Sequence, residues 1–118
     1  MKIVLLSALL MFMYPGQRQI LLFYNDSGVA VKDKQLSLLN ADKKGLQERD
    51  IVIHIYKTAE EKELADKWNI KPSAAFTYLL IGKDSGEKMR ADTVVSLAQL
   101  YKTIDAMPMR KTEMKGRK

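Results

Sequence analysis

The sequence of 118 residues contains no cysteine and a single histidine, His54. Without cysteine, this chain offers no disulfide, no thiol nucleophile, no CxxC redox motif, no thiolate zinc site and no iron–sulfur cluster. A single histidine leaves little basis for a Ser–His–Asp triad or a histidine-based metal centre. We therefore assign no catalytic residue, no metal ligand and no cofactor, and the composition argues against most enzyme chemistry.

The body of the chain has almost no excess of basic over acidic residues. The net charge is +6, but residues 18–107 hold fourteen basic and thirteen acidic residues. Residues 108–118 hold five basic residues and one acid, a net +4. A nucleic-acid-binding domain needs a basic face on its folded body, so we expect no specific nucleic-acid partner. We interpret residues 108–118 as a loose, solubilising basic tail, and the alternative is weak contact with anionic surfaces.

The sequence has no apolar run long enough for a stable transmembrane anchor. Residues 3–14 (IVLLSALLMFMY) carry no charge, but twelve helical residues span only roughly 18 Å of a ~30 Å hydrocarbon core. Lys2 precedes this run and Pro15-Gly16-Gln17 follows it, the layout of a secretory signal peptide. We predict a signal peptide at residues 1–17 and export to the periplasm or the exterior. The alternatives are an N-terminal strand or an uncleaved anchor.

Four segments are typical of strands because apolar and β-branched residues are concentrated between turn residues. The third and fourth are joined by a hairpin-like connection, Gly82–Gly86. The predicted strands are Arg18–Tyr24, Asp50–Tyr56, Phe76–Ile81 and Glu87–Ala91.

Three helices are predicted between and after these strands. The first covers residues 29–44 and is followed by Gly45, the second starts at a capping box on Thr58, and the third starts at a capping box on Ser96 and ends before Pro108. The order is β-α-β-α-β-β-α. It requires a parallel first pair and an antiparallel last pair, hence an α/β fold with a four-stranded mixed sheet flanked by helices. This is the order of the thioredoxin-like fold.

Three segments resemble the domain-of-unknown-function family 4174. They are LQERDIVI (46–53), FTYLLIGKDSGEKMRAD (76–92) and SLAQLYKTIDAMPMRKTEM (96–114). The similarity runs over roughly residues 18–114. The resemblance implies a thioredoxin-like, peroxiredoxin-related domain of exported bacterial proteins and of animal extracellular proteins with sushi repeats. The family has no agreed activity, and its fold alone does not imply one.

Two positions depart from redox-active thioredoxin-like proteins. Where those proteins hold a reactive cysteine at a helix N-terminus, this chain has Asn25-Asp26-Ser27-Gly28. Where they usually have a cis-proline before the third strand, this chain has Ala75. We therefore predict a non-redox domain that binds a protein or small ligand. The alternative is an oxidoreductase relative that relies on a partner's thiol.

The candidate binding residues are Asn25, Asp26, Ser27 and Arg49. The first three follow a strand and precede a helix, where ligands gather in parallel-sheet folds and free N–H groups attract anions. Their structural alternative is helix capping. Arg49 could bind a carboxylate or phosphate, or it could anchor its loop on an acid or on carbonyls at a helix end. His54 is interpreted as a core or edge residue.

A weaker candidate pair lies near the end of the fourth predicted strand. Arg90 and Asp92 stand two residues apart, and we interpret them as an exposed ion pair at the strand end. Such a pair has little effect on stability and needs no ligand.

Overall fold

The computed structural model describes residues 16–116. The predicted signal peptide therefore lies outside the described residues, apart from Gly16 and Gln17. Among the described helices, none combines the length and the apolar character that crossing a bilayer requires.

A four-stranded mixed sheet forms the centre of the domain. Its strands lie in the order β2-β1-β3-β4. β1 runs parallel to β2 and antiparallel to β3, and β3 runs antiparallel to β4. The strands are β1 (Arg18–Tyr24), β2 (Ile51–Lys57), β3 (Phe76–Ile81) and β4 (Glu87–Ala91). The predicted topology is confirmed, and Tyr24 and Lys57 end their strands side by side at one edge.

Five helices surround the sheet, and two short 3-10 turns precede the first and the third. The turns are Asp26–Gly28 and Thr58–Glu60. The helices are α1 (Val29–Asn40), α2 (Lys43–Glu48), α3 (Lys62–Lys67), α4 (Leu97–Asp105) and α5 (Pro108–Gly116). The predicted cap of α4 is present, since the Ser96 hydroxyl accepts a hydrogen bond from the Gln99 N–H at 3.1 Å.

Two apolar layers hold the helices on opposite faces of the sheet. Alternate residues of β1 point to opposite faces, so Ile20 packs in one layer and Leu21 in the other. The first layer includes Leu39 of α1 and Leu100 of α4, and the second includes Leu64 of α3. Because β1 is buried on both faces, its sequence is a continuous apolar run, as predicted. The thioredoxin-like α/β fold class is therefore confirmed.

The single helix predicted over residues 29–44 is wrong. The Asp42 carboxylate accepts a hydrogen bond from the Gly45 N–H at 3.1 Å and so begins a second helix. Gly45 consequently lies buried inside α2 and does not end a helix. The Tyr101 hydroxyl holds the same carboxylate at 2.9 Å. The break between α1 and α2 is therefore stabilised by a residue 59 positions away from Asp42 in the sequence.

Two further boundaries differ from the prediction for local reasons. Asp50 has a φ of 55°, a left-handed conformation that a strand does not use, so β2 begins one residue later than predicted. The capping box on Thr58 does not form. Its hydroxyl instead donates to the Tyr24 carbonyl at 3.2 Å and ties the ends of β1 and β2 together.

The interpretation of residues 108–116 as a loose end is wrong. They form α5, which begins at Pro108, a residue well suited to the first helical position. Arg110 is only 1% exposed and pairs with Asp105 at 3.2 Å. Glu113 reaches Arg18 at 3.3 Å. These ion pairs hold the segment against the sheet, so part of its charge is neutralised inside the fold.

Candidate functional site

The loop after β1 is closed by its own side chains. The Asn25 side-chain oxygen accepts hydrogen bonds from the Ser27 N–H at 2.9 Å and from the Ser27 hydroxyl at 2.6 Å. Asn25 is therefore the N-cap of the 3-10 turn Asp26–Gly28. The helix α1 that follows has Gly28 as its N-cap and receives no side-chain cap, so the capping applies to the short turn alone.

Asp26 is the one charged residue of the loop Asn25–Gly28. Its side chain is 89% exposed and pairs with the Lys57 ammonium at 3.0 Å. The hydrogen bond to Asp26 raises the pKa of Lys57. An ion pair this exposed contributes little to stability, so either partner can exchange it for a ligand group at small cost.

Ala75 lies directly against this loop. The Asn25 N–H donates to the Ala75 carbonyl at 3.0 Å. A Cβ placed on Gly28 would stand 1.8 Å from that same carbonyl oxygen, so only glycine fits there. The described residues contain no cis peptide bond. The two departures noted in the sequence, the loop at Asn25–Gly28 and the residue at Ala75, are thus in contact.

A cleft of about 350 Å³ opens beside this loop. We call it the Asn25 cleft. Its walls come from the loop, the second 3-10 turn, α3 and the segment before β3, and include Asn25, Thr58, Ala59, Lys62, Asp66 and Ile70. Lys62 and Asp66 stand one helical turn apart on α3. Sequence reasoning missed the cleft, because no motif in α3 indicated that its side chains would meet the loop after β1.

Arg49 does not join this site. It precedes β2 and so lies at the opposite edge of the sheet from Asn25. Its guanidinium donates twice to the Asp105 carboxylate, both at 3.1 Å, and once to the Gly45 carbonyl at 3.1 Å. It also lies 3.7 Å from the centre of the Tyr101 ring. The structural interpretation, an anchor on an acid and on a helix carbonyl, is confirmed.

The Asp105 carboxylate, which accepts both hydrogen bonds from Arg49, is stabilised in its ionised form. Burial raises the pKa of Asp105, but hydrogen bonds from Arg49 and Arg110 outweigh it, and the net effect lowers the pKa below its ordinary value. Asp105 therefore stays ionised as an anchor for two guanidinium groups. The guanidinium of Arg49 is thus engaged by groups of the protein itself.

The remaining candidates lie apart from the Asn25 cleft. Burial lowers the pKa of His54, which favours its neutral form within β2. Arg90 was predicted to pair with Asp92, and this is wrong. Its guanidinium pairs with Glu87 at 2.8 Å, on the same strand, and also donates to the carbonyl oxygen of Trp68. Within residues 16–116, no three His, Asp or Glu side chains are grouped so that they could hold a metal ion.

Solved structures similar to this chain include three thioredoxins. Thioredoxin-2 of the malaria parasite, titled a component of its protein secretion machinery, is 19% identical with a TM-score of 0.61, over 77% of this chain and 84% of that one. Fasciola hepatica thioredoxin is 18% identical with a TM-score of 0.60, over 83% and 88%. Chloroplastic thioredoxin z is 14% identical with a TM-score of 0.52, over 75% of each chain. At these identities the likeness shows the fold alone.

The family is shown by a match of a different kind. No curated protein matches the sequence. The family model described as a domain of unknown function, DUF4174, matches residues 9–113, which is nearly the whole chain. The resemblance stated from the three sequence segments is therefore confirmed. The chain belongs to the DUF4174 family and has a thioredoxin-like fold.

Proposed function

We propose that this chain is an exported, non-redox thioredoxin-like module that binds a protein or small ligand at the Asn25 cleft. One observation carries the proposal. At the end of β1, where redox-active relatives of the fold keep a thiol, the side chains of Asn25 and Ser27 are hydrogen-bonded to each other. The strand end and the turn of the fold are present here, but no residue of this loop has a thiol.

Serine at this position does not replace the missing thiol. A hydroxyl needs an adjacent base before it can act as a nucleophile. The Ser27 hydroxyl donates at 2.6 Å to the Asn25 amide oxygen, which is not a base. A serine also cannot cycle through a disulfide. Thiol exchange and peroxide reduction therefore have no reactive group here.

The Asn25 cleft has the properties of a small binding site. Its volume of about 350 Å³ falls within the roughly 300–1,000 Å³ typical of ligand pockets. Apolar residues such as Ile70 line it together with Lys62 and Asp66, which offer one charge of each sign. It also lies at the carboxyl ends of the parallel pair β1 and β2, where ligands of α/β folds gather.

Site-specific photo-crosslinking tests the proposed contact surface. A benzoylphenylalanine placed at Ala59, an exposed position of the cleft, is expected to give adducts of defined mass in the native compartment. The matched control carries the same group at Lys102, an exposed residue of α4 that does not line the cleft. Identical adducts from both positions, or no adducts from position 59, would contradict binding at the Asn25 cleft.

A thiol-dependent assay tests the non-redox claim separately. Insulin reduction with dithiothreitol as electron donor should proceed no faster with this protein than without it, because the chain has no cysteine thiol to carry electrons. A thioredoxin in the same assay is the positive control. Clear turnover would support the alternative, an oxidoreductase that borrows the thiol of a partner.

Export is supported by the apolar run and the turn residues of positions 1–17. Intact-mass measurement of protein recovered from the periplasm or medium tests it. A chain that begins near Gln17 or Arg18 is expected, and full-length protein confined to the cytosol would contradict it. Contact of the basic C-terminal segment with anionic surfaces stays a secondary prediction, now without Arg110, which is buried.

A further inference from the structure

We infer that a second cleft, at the other end of the sheet, binds a small amphipathic carboxylate with an anionic head and an unbranched apolar body. This cleft, the Arg18 cleft, has a volume of about 540 Å³ and lies between the β3–β4 hairpin and the α4–α5 junction. Arg18 and Tyr24 are the two ends of β1, and six residue steps along a strand span roughly 20 Å. The inference is therefore independent of the Asn25 cleft and goes beyond it.

One wall of the Arg18 cleft is apolar. It is formed where α4 passes into α5, by Met107, Pro108 and Met109. Met109 is 51% exposed, one of the few large apolar side chains among the described residues that reach solvent to this extent. Methionine side chains are flexible and polarisable, so they adapt to apolar groups of different shape. This wall suits an alkyl chain.

The opposite wall is basic. Among the lining residues Arg18, Lys83 and Lys88 are cations, and Asp84 is the one acid. Lys88 pairs with Asp84 at 2.8 Å, but Asp84 is 58% exposed, so the pair is weak and Lys88 can exchange it for a ligand carboxylate. Lys83 is already paired with Asp50 and Glu113, and Arg18 with Glu113. Lys88 is therefore the cation of this wall that can bind the anionic head.

Arg18 adds a donor that nothing in residues 16–116 satisfies. Its side chain is 1% exposed, and two of its nitrogens donate to the Arg49 carbonyl and to Glu113. Its Nε has no hydrogen-bond partner among the described residues. A buried donor without an acceptor is unfavourable. Because Arg18 lines the cleft, a shift of its side chain on binding would let an anion there accept from Nε.

The start of α5 favours the same ligand. Pro108 is its first residue and has no N–H, and the Lys111 N–H donates to the Met107 carbonyl at 3.0 Å. The N–H groups of Met109 and Arg110 are therefore the opening donors of this helix. Together with the helix dipole, these groups favour negative charge at the edge of the cleft. Inorganic phosphate would use only this basic side, and a neutral alcohol only the apolar side. A carboxylate with an alkyl body uses both.

Methionine methyl NMR of the full chain, labelled with ¹³C-methyl methionine, tests this inference with decanoate as the probe. Saturable shifts are expected for the methyl groups of Met107 and Met109, which line the cleft, and not for Met89 or Met114, which do not. Lys88→Gln should weaken binding about tenfold, because it removes one charge-assisted hydrogen bond. The matched control Lys111→Gln changes an exposed lysine of α5 outside the cleft and should leave the affinity unchanged.

Neutral and purely ionic probes complete the test. Decanol and inorganic phosphate should each bind at least tenfold more weakly than decanoate. Equal affinity for decanol, or unchanged decanoate affinity in Lys88→Gln, would overturn the anionic head. Equal affinity for phosphate would overturn the apolar body. Shifts of Met114 that parallel those of Met109 would show non-specific adsorption and would overturn the site.

Discussion

The two ends of β1 are built on opposite principles. At its carboxyl end, Asn25 and Ser27 satisfy each other over two residues of sequence, and the neighbouring Asp26 carboxylate is 89% exposed. At its amino end, Arg18 is 1% exposed and meets Glu113, which is 95 residues away. At the carboxyl end the contacts join neighbouring residues and the charged side chain is exposed. At the amino end the contacts join residues far apart in the sequence and the charged side chain is buried.

This difference separates binding from stability. Exposed polar groups are screened by water and contribute little to folding, so the carboxyl end is free to meet a ligand. Buried charges are costly to leave without a partner, so the amino end depends on every member of its network. We expect substitutions of the buried ion-pair network around Arg18 and Glu113 to act mainly on stability, and those in the loop of Asn25 mainly on binding at the Asn25 cleft.

The largest effect is expected for Arg110→Ala. Arg110 is 1% exposed and binds Asp105 and the Glu48 carbonyl, both at 3.2 Å. Its removal leaves Asp105 partly unpaired and should lower the free energy of unfolding by about 3 kcal/mol, measured by urea denaturation. The neighbouring exposed Lys111→Ala is the control and should change it by less than about 0.5 kcal/mol. Equal effects would restore the interpretation of this segment as a loose tail.

Gly28→Ala tests the one point where the open end is tightly packed. The new methyl group would meet the Ala75 carbonyl at 1.8 Å, and a backbone atom cannot move aside easily. We expect a loss of about 2 kcal/mol in the free energy of unfolding. In the control Gly86→Ala, the nearest atoms are side-chain atoms of Asp84 and Lys88 at 3.3 Å and 3.6 Å, which can move. A neutral Gly28→Ala would show that the loop is not held against Ala75.

The sheet could be predicted from the sequence because its signal is local. The three strands β1, β3 and β4 have the predicted bounds, since each is an apolar or alternating run between turn residues. β2 begins one residue later than predicted because Asp50 adopts a left-handed conformation, which propensity does not reveal, and it extends one residue further, to Lys57. The break between α1 and α2 depends on Tyr101, 59 residues away from Asp42. No local pattern could indicate it.

The same limit applies to the candidate sites. The position of Asn25, Asp26 and Ser27 could be predicted, because a strand end and a turn are both visible in the sequence. The Asn25 cleft could not, since α3 and the segment before β3 complete it only in three dimensions. Nor could the network at Arg18, because its other members, Arg49, Lys83 and Glu113, lie far from Arg18 in the sequence.

Glu113→Gln tests the buried network at the amino end of β1 through the pH dependence of the free energy of unfolding. Burial raises the pKa of Glu113, but hydrogen bonds from Lys83 and Arg18 outweigh it, and the net effect lowers the pKa below its ordinary 4.5. A carboxyl whose pKa is lowered on folding stabilises the fold above its unfolded pKa and loses this effect as the pH falls through its folded value. The variant should therefore lose about 1.5 kcal/mol at pH 7 and progressively less below about pH 4.5.

Urea denaturation of both proteins between pH 7 and pH 3 measures that difference. Glu63→Gln, which changes an exposed residue of α3, is the control and should track the wild type throughout. A difference for Glu113→Gln that stays constant down to pH 3 would contradict a role for its ionised form in the network.

The smallest effect is expected for Asn25→Ala, at the open end. The variant removes the oxygen that accepts from the Ser27 N–H and hydroxyl, and the loss of such a cap costs about 1 kcal/mol. Ser27→Ala keeps the N–H contact and should cost less than about 0.5 kcal/mol, both measured by urea denaturation. Because Asn25 is only partly buried and Ser27 is exposed, their effect on stability should stay below that of Arg110→Ala, while crosslinking at Ala59 should fall. An Asn25→Ala loss as large as that of Arg110→Ala would mean that both ends of β1 serve stability, and the separation of binding from stability would fail.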